Sequence, residues 1–143
     1  MKKVMIFGTF DGLHPGHLDF FRQAKKLGDF LVVSVARDKV VPDFKRKPAM
    51  FSESERFDLV SSCKLVDKAV FGDESRNDFY KHVASEKPDV ICLGYDQWAQ
   101  EEDVRKNLDK VGLLKTQIFR LSPYKPQTHK SSKMKFGDWK KSL

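Results

Sequence analysis

The ten residues Gly8-Thr9-Phe10-Asp11-Gly12-Leu13-His14-Pro15-Gly16-His17 constrain this chain more than any other stretch, because of what flanks them. Before them, Val4-Met5-Ile6-Phe7 is short, apolar and closed by a glycine, which is the pattern of a buried strand. After them, Asp19 to Leu27 has helical spacing of its apolar residues. The segment therefore spans a strand-to-helix turn. In an open α/β sheet, ligands gather beyond the carboxyl ends of the strands, and a helix starting there offers backbone N–H groups to an anion. Gly8 permits close approach of the backbone. Pro15 suits the first helical turn, where its missing N–H has no intrahelical partner, and Gly16 keeps the helix start uncrowded. A phosphate is the expected guest.

His14 and His17, three residues apart across that helix start, can direct two imidazoles at one site and donate hydrogen bonds to phosphoryl oxygens as charge shifts during transfer. They need not exchange a proton to be catalytic. Histidines at this spacing also occur as metal ligands or as surface polar residues. No third and fourth Cys or His stands nearby to complete a zinc site, so no protein metal site is expected.

Strand-like and helix-like segments alternate along the rest of the chain. Strands are expected near Lys3 to Phe7, Phe30 to Val35, Lys68 to Phe71, Val90 to Leu93 and Thr116 to Leu121, with helices between most of them. Such alternation predicts an α/β, doubly wound parallel sheet of five strands between helical layers, because parallel neighbours need crossovers. The 143 residues suit one domain, 1–143, and a content of 40% hydrophobic and 12% aromatic residues can fill its core. Cys63 and Cys92 lack metal spacing and read as buried free thiols of a reducing compartment. No segment is long and apolar enough to span a membrane, and the run after Met1-Lys2-Lys3 is too short for a signal peptide, so a cytoplasmic protein is expected.

The charge of +7 is localised. Residues 125–143 hold six lysines against Asp138, which leaves 21 basic and 19 acidic residues ahead of them. A basic C-terminal segment can attract a triphosphate, nucleic acid or an acidic membrane, or simply be solvated. No aromatic RNA-binding motif accompanies it, so a nucleic-acid partner is not favoured.

The glycine turn and histidine pair resemble the signature of cytidylyltransferase-like nucleotidyltransferases, and the Gly-Thr-Phe-Asp start resembles glycerol-3-phosphate cytidylyltransferases and archaeal-type FAD synthases. Lys45-Arg46-Lys47-Pro48 and Glu55-Arg56 resemble that branch's basic loop and arginine helix, while Leu93-Gly94-Tyr95-Asp96-Gln97 is similar to the FAD synthase type. The resemblance implies a Rossmann-like sheet of order 3-2-1-4-5. It also implies a reaction in which a phosphomonoester attacks the α-phosphate of a magnesium-bound nucleoside triphosphate and expels pyrophosphate. Carried onto this chain, it implies catalytic roles for His14, His17, Lys45 and Lys125, and nucleotide contacts at Gly8, Thr9, Phe10, Gly16, Gly94, Asp96, Ser131 and Ser132. Phosphate or acceptor contacts would fall to Asp11, Lys47, Arg56 and Lys130. The Mg2+ would be held through the nucleotide's phosphates.

The last motif departs from the cytidylyltransferase pattern Arg-Thr-x-Gly-Ile-Ser-Thr. Lys125-Pro126-Gln127-Thr128-His129-Lys130-Ser131 stands there, a point charge in place of a planar fork. Tyr124, Ser131, Ser132 and Lys133 are more similar to the FAD synthase version. ATP with FMN is therefore the first expectation, CTP with glycerol 3-phosphate or another small phosphate the second, and a non-catalytic nucleotide or RNA binder the alternative of another class. Homodimers occur among relatives. Bland readings stand beside several of these roles: Arg56 could pair with a carboxylate, Asp11 could stabilise the turn, and Asp38 could cap one. His82 lies on a polar helix and His129 matches no family histidine, so both stay outside the expected site. Trp98 and Trp139 could stack on a base or flavin, or pack.

Overall fold

The computed structural model describes residues 1–41, 49–97 and 99–124. The expected Lys45, Lys47, Lys125, Lys130, Ser131 and Ser132, together with both tryptophans and His129, lie outside those residues.

Five strands form one parallel sheet: β1 (Lys3–Gly8), β2 (Phe30–Val35), β3 (Lys68–Phe71), β4 (Val90–Leu93) and β5 (Gln117–Arg120). Their order is β3-β2-β1-β4-β5, as the resemblance implied. Val4 faces Leu31 on one side and Val90 on the other, which centres β1. The crossovers carry α1 (Pro15–Lys25), α2 (Glu53–Ser61), α3 (Phe79–Glu86) and α4 (Glu101–Lys110). β5 is one residue shorter at each end than expected. Thr116 is buried with its hydroxyl donating to Pro88 O, while Leu121 N still donates to Leu93 O.

Strand alternation divides the core between the two sheet faces. Val4, Ile6, Leu31, Val33 and Val35 pack against Phe21 and Ala24 of α1 and Val60 of α2. Met5, Val32, Ile91 and Leu93 pack against Val83 of α3 and Val104 and Leu108 of α4. Strands buried on both faces read as continuous apolar runs, which is why β2 and β4 were legible as Leu31-Val32-Val33 and Val90-Ile91-Cys92-Leu93. The order reverses at β1, so the crevice beyond its carboxyl end, between β1 and β4, is where such a sheet opens to a ligand. Both cysteines are free, and Cys92 is buried. Among the described residues no helix is long and apolar enough to cross a membrane.

Candidate active site

The turn after β1 is held by its own side chains. Phe10 takes a left-handed backbone, φ 54°, uncommon for a residue with a bulky side chain, and its ring is buried against Phe21 and edge-on to His17, with centroids 5.5 and 5.4 Å apart. A Cβ on Gly8 would meet that ring at 2.7 Å, so a glycine is what lets the ring fold back beneath the turn. The resemblance implied a nucleotide contact for Phe10. With its ring packed into the core, the contact it can offer is through the backbone. Asp11 accepts from Met50 N (2.6 Å) and Phe51 N (2.8 Å), one per carboxylate oxygen. It fastens the end of the loop after β2 onto the signature turn, which is the turn-stabilising role.

His14 is the N-cap of α1. Its Nδ1 accepts from Gly16 N (3.0 Å), and His17 Nδ1 accepts from His14 N (3.3 Å), so the two histidines form a reciprocal capping box. Their rings stack with centroids 3.9 Å apart. An imidazole whose Nδ1 accepts carries its proton on Nε2, and both side chains line the same cleft. The helix start was expected to present backbone N–H groups directly. Instead Pro15 has none, Gly16 N is taken by His14 Nδ1, and His17 N and Leu18 N both donate to His14 O. The first turn of α1 is satisfied internally, with both Nδ1 atoms committed to it and His14 Nε2 buried.

Arg56 departs from the phosphate-binding role the resemblance implied. Its side chain is 0% exposed. Nη1 donates to Thr9 O and Ala36 O (both 2.8 Å), Nε to Phe51 O (3.1 Å) and Nη2 to Asp38 Oδ1 (2.7 Å). The guanidinium thus ties the signature turn, the end of β2 and the entry to α2 into one unit. Asp38 in turn exchanges hydrogen bonds with Glu53, N to carboxylate in each direction, and the bond from Arg56 holds its carboxyl below the ordinary value. A second clamp, Arg120 on β5, went unnoticed in the sequence. It donates to Gly94 O and Gln97 O (2.9 Å each) and to Ala99 O, and pairs with Glu101. Gln97 adds a stitch, accepting from Gly94 N (2.7 Å) and donating to Phe7 O (3.0 Å), which fixes the β4 loop to the end of β1.

These elements enclose a cleft of about 900 Å³ at the carboxyl edge of the sheet, near the upper size of small-molecule sites. Gly8, Thr9, Asp11, His14, Gly16 and His17 line it from the β1 side, Gly94 and Asp96 from the β4 side, and Tyr124 from beyond β5. A polar half at the histidines thus continues into an aromatic half between the sheet, α3 and α4, where Phe7, Phe79 and Tyr80 stand. No lysine or arginine is among the described lining residues, and among the described residues no three His, Cys, Asp or Glu side chains converge as a metal site.

The comparisons with known proteins agree with this geometry. A family model described as cytidylyltransferase-like matches residues 5–135. A FAD synthase of Aciduliprofundum boonei is 48% identical over 87% of this chain and 80% of its own length. One from Thermoplasma volcanium is 42% identical over 94% and 92%. A crystal structure described as a lipopolysaccharide core biosynthesis protein from Thermoplasma volcanium superposes with a TM-score of 0.82 at 43% identity, covering 87% of this chain and 98% of that one.

Proposed function

The chain belongs to the cytidylyltransferase-like family, and from that premise we propose that it is an FMN adenylyltransferase, joining AMP from ATP to the phosphate of FMN and releasing pyrophosphate. The observation that carries the choice of substrates is the pair of FAD synthases, 48% and 42% identical over most of both chains. The aromatic half of the cleft fits that choice, since a polyol phosphate has no apolar surface to lay there.

A phosphate oxygen of FMN attacks the α-phosphorus of ATP, and the bond from that phosphorus to the bridging oxygen of the β-phosphate breaks. Charge builds on the non-bridging oxygens of the α-phosphate and on the leaving group, and no covalent enzyme intermediate is needed. His14 and His17 act through Nε2–H. Each Nδ1 takes a backbone N–H at the start of α1, and the opposite nitrogen passes a donor on to the α-phosphate. Because the cap fixes both rings before substrate arrives, little reorganisation accompanies the reaction. Gly94 and Asp96 would face the nucleoside from the β4 loop that Arg120 and Gln97 hold. Lys45, Lys47, Lys125 and Lys130, with Ser131 and Ser132, would supply phosphate contacts. Mg2+ would be held through the phosphates of the triphosphate.

The test is pyrophosphate release with magnesium, crossing ATP and CTP against FMN and glycerol 3-phosphate, with FAD identified by chromatography. FAD from ATP and FMN alone is the expected result. Turnover of CTP with glycerol 3-phosphate would move the chain to the cytidylyl branch.

A further inference from the structure

Beside Phe7, Phe79 and Tyr80, the cleft is lined by a serine that the reaction above does not use. Ser34 lies on β2, in register with Phe7 of β1 and Val70 of β3, and is 4% exposed while lining the cleft. Its hydroxyl meets His82 Nε2 of α3 at 2.9 Å. Phe7 is edge-on to Phe79 (4.9 Å), Phe79 to Tyr80 (4.9 Å), and Leu93 closes the β4 side, while Asp73, Ser75 and Asn77 add polar groups to the same lining. A buried hydroxyl costs stability unless it is hydrogen-bonded, and His82 supplies one partner. Burial also holds His82 below the ordinary imidazole value, against the pull of Asp73 and Glu86, so near neutral pH its ring is uncharged. A hydroxyl can both donate and accept, so the bond to the ring leaves it a further position.

We infer that Ser34, oriented by His82, is a specificity-determining residue for the acceptor, hydrogen-bonding the polar edge of a flat heteroaromatic ring that lies among Phe7, Phe79, Tyr80 and Leu93. The inference rests on FMN being the acceptor and adds where its ring binds. The edge of an isoalloxazine carries carbonyl oxygens and an imide N–H, so either sense of hydrogen bond from Ser34 finds a partner. A ring with an unpartnered polar edge against this wall would forfeit those bonds to water, which is how one hydroxyl discriminates. The phosphate would remain at the histidines of the β1 turn, in the other half of the same cleft. His82 touches no substrate in this arrangement and acts as a positioning residue.

The experiment compares wild type with Ser34→Ala, His82→Leu and His82→Gln. It measures steady-state KM for FMN and for ATP, kcat, and direct binding of riboflavin, which carries the ring without the phosphate, by flavin fluorescence. Ser34→Ala should raise KM for FMN and Kd for riboflavin together, by about 3- to 10-fold, the loss of one neutral hydrogen bond. kcat, KM for ATP and Tm should stay near wild type. His82→Leu should raise the same two constants and lower Tm as well, because it leaves the buried Ser34 hydroxyl without its partner, and His82→Gln, which retains an amide at similar reach, should recover part of both losses. Wild-type turnover with Ser34→Ala matching it in KM for FMN and in riboflavin affinity overturns the inference and leaves the reaction standing. Wild-type protein that makes no FAD from ATP and FMN refutes the reaction instead. A loss in Ser34→Ala confined to Tm overturns the inference by making the pair structural.

Discussion

Replacing Arg56 separates two roles that predict opposite phenotypes. In the structure its guanidinium donates to three carbonyls, those of Thr9, Ala36 and Phe51, and to Asp38. Arg56→Ala removes all of these and opens a buried volume. Hydrogen bonds from a charged donor contribute about 1.5–3 kcal/mol each, but they are not additive, and water can enter behind a truncated side chain. Asp38 is half exposed and is resolvated when its partner goes, so its share is small. The three carbonyls dominate, for a total of about 3–5 kcal/mol, and in a domain of this size that lowers Tm by about 10–15 °C. Arg56→Lys should recover less than half, because one ammonium cannot reach three carbonyls set in divergent directions. Thermal unfolding of both variants, followed by circular dichroism, checks the magnitude, and KM for ATP below the lowered transition should rise less than threefold. A phosphate ligand gives the reverse: unchanged Tm with KM for ATP up tenfold or more. That result would refute the clamp.

Other outcomes follow from the same geometry. His14→Asn keeps a good N-cap but loses the Nε2 donor, so Tm should hold while kcat falls about 100- to 1,000-fold; His14→Ala should lose the rate and about 1 kcal/mol of stability as well. His17→Ala should depress kcat similarly with little change in KM for ATP, and an equal loss of binding would contradict a role confined to the transition state. Acid unfolding should come in two stages. Burial depresses His82, so its contribution is present above the ordinary imidazole value and fades as pH falls below about 6.5. The depressed Asp38 and Asp67 give up theirs below about 4. For Asp67, burial alone raises the pKa, but the bonds from Lys25 and Leu31 N outweigh it. Asp67→Asn should flatten only the lower stage of a Tm against pH series, and a lower stage that persists unchanged would exclude this carboxylate. Cys92, its thiol pushed up to about 12 by burial, should resist iodoacetamide at pH 8 in the native protein, with label appearing at half-buried Cys63 by mass spectrometry.

The strands were legible because a parallel sheet buries both faces and writes itself as short apolar runs between turn residues. The histidine pair was legible because of its setting, a glycine turn between an apolar run and a proline-marked helix start, and not from its spacing alone. What sequence could not carry was the destination of each polar atom. Gly16 N and His14 N are local donors that the reading left open to a ligand, yet they close a capping box, which requires knowing both imidazole orientations. Arg56 was read beside a basic loop and assigned to phosphate, while its acceptors lie 47, 20 and 5 residues away in segments that meet only after folding. His82 looked like one polar residue on a polar helix; its partner Ser34 is 48 positions earlier. Polar side chains show their partners only in three dimensions, whereas apolar ones need only a face.

Arg56 and Arg120 also explain how a cleft that must hold a triphosphate is built without described lysines or arginines along its wall. Each arginine sits behind a ligand-facing loop: Arg56 donates to Thr9 O of the β1 turn as well as to Ala36 O and Phe51 O, and Arg120 to Gly94 O and Gln97 O of the β4 loop. Backbone carbonyls that point backward into a guanidinium leave the opposite side of the turn free of acceptor oxygens, which would repel a phosphate. The charge of these two arginines therefore acts as a scaffold, fixing the loops at the two ends of the crevice, and the donors that the proposed reaction uses at the β1 turn are the Nε2–H groups of His14 and His17. Neutral donors held in place stabilise charge as it develops, without binding the triphosphate so tightly that its ground state gains as much as the transition state.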